Sequence, residues 1–265
     1  MVSHVVPVDP VSVPSFGPDH LAIPPGLADG PQPVVFIAGN NSTSQQTVNV
    51  YVGNATPAIQ AVSNAATFVG IPVAPGTLVS ILGQFRDSAT PTVSFDGYPG
   101  PILYAGLSQI NTVIPFEVAG QASTMAVVSA NGLTSAPHLV NLTDTSPGIF
   151  HGGVLNQDGS LNGPNNPAAA GTVLQIFATG AGVFSPALAD GSIVPIGPSY
   201  PVPVAPVSVM IGGLPAQVEF AGAAPTLVAG VLQVNAVVPA GVSSGDQGLV
   251  LIVGRNSDLA GVSLK

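Results

Sequence analysis

The side chains in this sequence that could do chemistry are few, and most of them stand alone. The four histidines are His4, His20, His138 and His151, and no two have the spacing of a His-x-x-x-His half-site. The chain has no cysteine, so thiolate catalysis, disulfides and Cys-ligated zinc are excluded. His138 opens an apolar run and His151 follows one, which reads as solvated strand-edge positions; a metal role needs two histidines to meet near Asp144. The only glutamates are Glu117 and Glu219, neither in a pattern that pairs carboxylates for glycoside hydrolysis. No strand-to-helix nucleophile elbow is expected, and Gly180-Ala-Gly182 lacks the lysine of a phosphate loop. The expectation is a chain that is not an enzyme, with no catalytic residue, no bound metal and no cofactor.

Three weaker constellations remain. Asn156-Gln-Asp158-Gly-Ser160-Leu-Asn162 puts oxygen ligands on alternate residues, as a calcium loop does. An EF-hand needs Glu at its twelfth position, and that position here is Pro167, so Asp158-Gly159 reads better as a tight turn. Gln109 with Asn111, and Gln233 with Asn235, recur at matching places. They suit either a ligand-facing amide pair or amides that satisfy the backbone of a crossing loop, and recurrence favours the structural role. Tyr98, Tyr104 and Tyr200 could form an aromatic platform for sugars; Tyr98, beside Pro99, and Tyr200 are the candidate ligand contacts, although the chain has no Trp.

Elements that hold such residues must come from an unusual composition. Of 265 residues, 46% are hydrophobic and only 6% charged. That is the reverse of the disordered signature, so the chain folds. Gly (32) and Pro (28) are abundant, as many short strands and turns require. The net charge is −9, and Arg86, Arg255 and Lys265 are the only basic residues. Binding to nucleic acid rests on Lys and Arg neutralising phosphates, so that partner class is excluded, and attraction to anionic lipid with it. No apolar run reaches the ~18 residues of a membrane span, so no membrane insertion is expected. Met1 to Asp9 lacks the basic and apolar regions of a signal peptide, so secretion would need a leader upstream.

Internal repetition organises the chain. Gly76-Thr-Leu-Val-Ser-Ile-Leu82 parallels Gly171-Thr-Val-Leu-Gln-Ile-Phe177. Val93-Ser-Phe-Asp-Gly-Tyr-Pro99 parallels Val209-Met-Ile-Gly-Gly-Leu-Pro215, and both continue to Ala-Gly at 105–106 and 221–222. The sharpest match is Gln109-Ile-Asn111-Thr-Val-Ile-Pro115 with Gln233-Val-Asn235-Ala-Val-Val-Pro239. A closing hairpin follows in each, around Asn131-Gly132 and Arg255-Asn256. A partial third copy precedes them: Ile23-Pro24-Pro-Gly26-Leu-Ala-Asp-Gly30 matches Val238-Pro239-Ala-Gly241-Val-Ser-Ser-Gly245, with a hairpin over 34–52 turning at Asn40-Asn41. Residues 1–53 therefore read as the C-terminal half of a truncated repeat, 54–143 as a full repeat, and 144–265 as a repeat with insertions at 156–170 and 184–204.

The first full repeat predicts strands at 59–62, 78–82, 93–95, 102–104, 109–114, 125–129 and 138–142. Seven strands in about 90 residues is the density of an immunoglobulin-like sandwich. The fold class is thus all-β: tandem immunoglobulin-like β-sandwich domains.

The ordered set Gly-Thr, Val-x-[Phe/Ile]-x-Gly-x-Pro, Ala-Gly and Gln-[Ile/Val]-Asn-x-x-[Ile/Val]-Pro stands in both repeats. The second adds Ser146-Pro-Gly-Ile-Phe150, Gln157-Asp-Gly-Ser-Leu-Asn162, Asn166-Pro167 and Ala178-Thr-Gly-Ala-Gly182. Over residues 54–265 this resembles the C-terminal domain family of Solibacter-type acidobacterial proteins, a tandem of IPT/TIG-like immunoglobulin folds. The resemblance implies a secreted or cell-surface protein and no established activity, cofactor or catalytic residue. The expected role is a structural or adhesive module with cell-surface or extracellular-matrix partners, or homotypic partners joined by strand edges. The alternatives are weak carbohydrate binding and, further off, a hydrolase site between repeats.

Overall fold

The structure, a computed structural model, describes the backbone strands at 30–36 and 46–52 and residues 56–70, 72–85 and 91–265 in full. It divides into two compact units, Met1–Ala55 and Thr56–Lys265. The first unit contributes one antiparallel hairpin, β1 (Gly30–Phe36) with β2 (Gln46–Val52), in register from Gly30↔Val52 to Phe36↔Gln46. The turn expected at Asn40-Asn41 lies outside the described residues. Pro31 and Pro33 share one parity on β1 and have no N–H to donate, so their nitrogens must face away from β2. The ladder bonds then fall at Gln32↔Val50 and Val34↔Val48, and the N–H groups of Thr47, Asn49 and Tyr51 point to the outer edge of β2.

The second unit holds two sandwiches. The first is built from β3 (Ala58–Asn64), β4 (Leu78–Gln84), β5 (Thr92–Phe95), β6 (Tyr98–Gly100), β7 (Ile102–Ala105), β8 (Gln109–Val113), β9 (Ser123–Ala130), β10 (Leu133–Thr134) and β11 (His138–Asn141). One sheet has the order β3-β4-β8-β7, and the other β10-β9-β5-β6 with β11 also on β9. All seven predicted strands are present; the two-to-three-residue strands β6 and β10 were too short to predict. Period-two alternation drives the layering. Along β8, Ile110 and Thr112 turn inward while Gln109 and Asn111 stay half-buried. Ile81 and Ile110 from one sheet meet Phe95, Ala126 and Val128 from the other in one core.

The second sandwich comprises β12 (Gly148–Leu155), β13 (Val173–Thr179), β14 (Phe184–Ser185), β15 (Val202–Pro203), β16 (Val207–Ile211), β17 (Leu214–Ala223), β18 (Val231–Val237), β19 (Gly245–Val253) and β20 (Asn256–Leu264). Its main path runs β12-β13-β18-β17-β16-β19-β20. The start of β17 pairs with β16 and the rest pairs with β18, so this strand passes from one layer to the other. Its counterpart in the first sandwich is cut by Pro101 into β6 and β7. Both copies carry a bulge at the same offset, between Ile102 and Tyr104 and between Val218 and Phe220.

Sequence equivalence extends to individual bonds. Gly76 N–H donates to Ile114 O (2.8 Å) and Ile114 N–H to Thr77 O (2.9 Å); Gly171, Val238 and Thr172 repeat this at 2.9 Å each. The turns Asp96-Gly97, Asn131-Gly132 and Gly212-Gly213 have two positive φ values, the twist that suits two-residue hairpins. The last turn is centred one residue earlier than predicted, on Gly254-Arg255, because Gly254 (φ +62°) supplies the positive φ and Asn256 already pairs with Val253. The 184–204 insertion, read as a loop, is pinched at its base by β14 and β15.

Candidate interaction site

The recurring amides occupy matching places on β8 and β18. Gln109 Nε2 donates to Asn111 Oδ1 at 2.7 Å, and Gln233 Nε2 to Asn235 Oδ1 at 3.0 Å. Ser80 on the neighbouring strand joins the first pair through Asn111 Oδ1 (3.0 Å). These amides thus bond to side chains along their own sheet face rather than to a crossing loop, because residues two apart on a strand lie side by side. Pro115 and Pro239 end the same strands and redirect the chain; Pro115 is buried and Pro239 half-buried.

Tyr98 is 40% exposed at the β5–β6 turn of the first sandwich. Tyr200 lies in the second sandwich, packed edge-on against Phe220 (5.9 Å) with its hydroxyl accepting from Gly197 N–H (3.3 Å). The two tyrosines thus belong to different sandwiches. His138 starts β11, and His151 is exposed on the bulge of β12. Among the described residues no three His, Asp or Glu side chains form a metal-sized group. Gly241-Val-Ser243-Ser-Gly245 spells Gly-x-Ser-x-Gly, but it is a turn leading into β19 with no helix after it.

The 156–166 loop closes on itself. Asp158 Oδ1 accepts the N–H and hydroxyl of Ser160, and these bonds hold its carboxyl below the usual carboxylate range. Asn162 Nδ2 donates to Asn156 Oδ1 (2.9 Å) and to Ser263 O (3.0 Å), while its Oδ1 accepts from Ser263 N–H (2.8 Å). The alternating oxygens therefore brace a turn against β20.

Sequence reasoning missed the joint between the two sandwiches. Leu78 N–H donates to Thr179 Oγ1, whose own hydrogen goes to Gly230 O, both at 2.9 Å. Asn64, fully buried, donates to Ser146 O (3.3 Å). From the 184–204 insertion, Phe184 meets Phe116 edge-on (6.4 Å) and Asp190 Oδ1 accepts Phe116 N–H (3.0 Å). Gly191 rests on the Pro101 ring, where a Cβ would come within 2.6 Å. Burial first, and then a hydrogen bond with Glu117, push the Asp190 carboxyl up to about 6 against the pull of the Phe116 N–H. No local signal marks this pair, which is separated by more than 70 residues, and a lone Asp in a Pro-rich loop carries no pattern.

A second feature is a groove of about 560 Å³ beside the β12 bulge, lined by His151, Leu161, Asp258 and Leu259 among others. Asp258 is engaged there, accepting Ile149 N–H at 2.7 Å.

No family model matches the chain, and no curated protein matches it. Solved structures that resemble it include the Plexin A4 full extracellular region, at 17% identity and TM-score 0.30, covering 79% of this chain and 18% of that one. A gamma-CGTase from alkalophilic Bacillus clarkii gives 13% identity and TM-score 0.29, covering 87% of this chain and 30% of the other. Titin Ig tandem domains give 12% identity and TM-score 0.20, covering 72% and 89%. The chain thus spans less than a fifth of the plexin chain's length. With likenesses this low, the class rests on the chain's own sheets: a tandem of immunoglobulin-like sandwiches.

Proposed function

We propose that this chain is a non-enzymatic structural or adhesive module of a secreted or cell-surface bacterial protein, of the Solibacter-type C-terminal domain family its motifs resemble. The joint carries this reading. Two sandwiches with separate cores are locked by buried hydrogen bonds from Asn64 and Thr179 and by the Phe116–Phe184 contact, which makes a stiff spacer. Asp190 from the insertion adds a further bond to that joint, accepting the Phe116 N–H. A surface with so few charges is maintained by Ser, Thr, Asn and Gly, as suits display outside the cell.

Homotypic association through strand edges is the partner mode proposed. The β1 edge is a poor template, because Pro31 and Pro33 withhold two donors there. The β2 edge offers the N–H groups of Thr47, Asn49 and Tyr51. Asn49→Pro removes an outward donor and leaves the hairpin ladder intact, whereas Val50→Pro breaks the ladder. In light scattering, Asn49→Pro is expected to lose association that the parent chain shows. Unchanged oligomer size in that variant ends the strand-edge reading. A weaker second reading, carbohydrate binding, has the exposure of Tyr98 in its favour; a glycan array without a Tyr98-dependent hit removes it.

A further inference from the structure

We propose that the second sandwich carries, around Gly171, Gln217 and Ala240, an unfilled copy of the socket by which the first sandwich holds its neighbour. The structure assigns its occupant as the first-sandwich end of a second copy of this chain, docked head to tail.

The filled socket comes first. In the first sandwich it consists of Gly76, Pro101 and Phe116, which receive Gly230, Gly191 and Phe184 of the second. The approach is close: a Cβ on Gly230 would sit 2.1 Å from Gly76 O. The matched backbone bonds fix the equivalent residues: Gly171 for Gly76, and Val238-Pro239-Ala240 for Ile114-Pro115-Phe116. The matched bulges set Gln217 at the place of Pro101. These same residues, with Pro215, line an open cavity of about 440 Å³. No atom stands within 4 Å of where a Gly171 Cβ would be, whereas at Gly76 the Phe116 ring is 2.3 Å away. Ala240 in place of Phe116 leaves the space of an aromatic ring unfilled.

The occupant follows from the other half of the joint. The second sandwich inserts Thr179, at the end of β13, and Gly230, three residues before Gln233. The corresponding parts of the first sandwich are Gln84, at the end of β4, and Gly106, three residues before Gln109. That end presents Leu103 (43% exposed), Tyr104 (55%) and Leu107 (63%). An apolar end bearing an exposed aromatic is complementary to an apolar socket lacking one. The contact joins two different surfaces, so it is heterologous and propagates into rings or open chains rather than two-fold dimers. It goes beyond strand-edge association, since it uses sandwich ends rather than β2.

The test is sedimentation of the full chain carrying Asn49→Pro, which removes strand-edge pairing, over rising concentration. Average mass is expected to climb past that of a dimer. Ala240→Glu in the socket and Leu107→Glu on the inserted end, both at exposed positions, are each expected to weaken association by more than about tenfold, because each brings a charge into an apolar contact. Mixing the two variants restores one intact socket and one intact end, so the mixture returns to dimers and no further, which also shows that both variants are folded. A chain that stays monomeric throughout, or a mixture without dimers, overturns the proposal.

Discussion

Gly76 and Gly171 hold one place in two repeats, with φ of +75° and +80°, yet their surroundings differ. Alanine at either must adopt the left-handed region, at a cost of about 1–2 kcal/mol. At Gly171 nothing else opposes it, but at Gly76 the new methyl would collide with the Phe116 ring and push on the joint. Gly76→Ala is therefore expected to destabilise by about 2–5 kcal/mol, the collision adding about 1–3 to the backbone cost. Gly171→Ala should stay near 1–2 kcal/mol. Urea denaturation of both variants measures the difference, and equal values would mean that Phe116 yields freely. Asn162 shows the same dependence on context: its amide exchanges two hydrogen bonds with the backbone of Ser263, as a strand residue would, although it sits in a loop.

At the scale of elements, one strand tests how tightly sequence controls layer switching. β17 changes layers between Ala216, paired with β16, and Gln217, paired with β18. Pro101 stands at the equivalent place and merely separates β6 from β7. Gln217→Pro should therefore cost no more than about 1 kcal/mol, because the crossing point tolerates the loss of a ladder donor. Val234→Pro, in a central strand paired on both sides and fully buried, should cost more than about 3 kcal/mol or prevent folding. Thermal melts of the two variants check the contrast. The strands themselves were legible because apolar residues alternate along them and Asn-Gly, Asp-Gly and Gly-Gly punctuate them. The amide pairs were legible as recurrences, but their partners were not. Gln109 and Asn111 satisfy each other on one face, and only coordinates reveal which side of a sheet a half-buried amide shares.

The whole molecule depends on contacts between sandwiches, and these were not legible at all: Asn64 with Ser146, Thr179 with Leu78, and Asp190 with Phe116 are each brought together by folding over long separations. Two expectations belong to this scale. The raised carboxyl of Asp190 stabilises the joint fully below the ordinary carboxylate value, and that contribution is lost as pH rises through about 6. Because Asp190 is only half-buried, solvent screening limits the effect to about 1 kcal/mol. Asp190→Asn keeps the acceptor for Phe116 N–H without the charge, so its stability should be flatter across that window. Denaturation midpoints at a series of pH values decide it, and parallel curves for parent and variant would dissociate Asp190 from the pH response. Thr179 offers the sharper test of the lock. Its hydroxyl, completely buried, accepts from Leu78 N–H and donates to Gly230 O, tying β4 of one sandwich to the turn before β18 of the other. Thr179→Val preserves shape but strands a part-buried donor and a buried acceptor, each costing about 1–3 kcal/mol. The loss falls at the joint and spares both cores. Unfolding followed by calorimetry should then change from one transition to two, as each sandwich melts on its own core. Thr172→Val, remote from the joint, removes a hydroxyl bond within the second sandwich and should lower that sandwich's stability without separating the transitions. A single transition in the Thr179 variant would mean that the Phe116–Phe184 and Asn64 contacts couple the sandwiches without it.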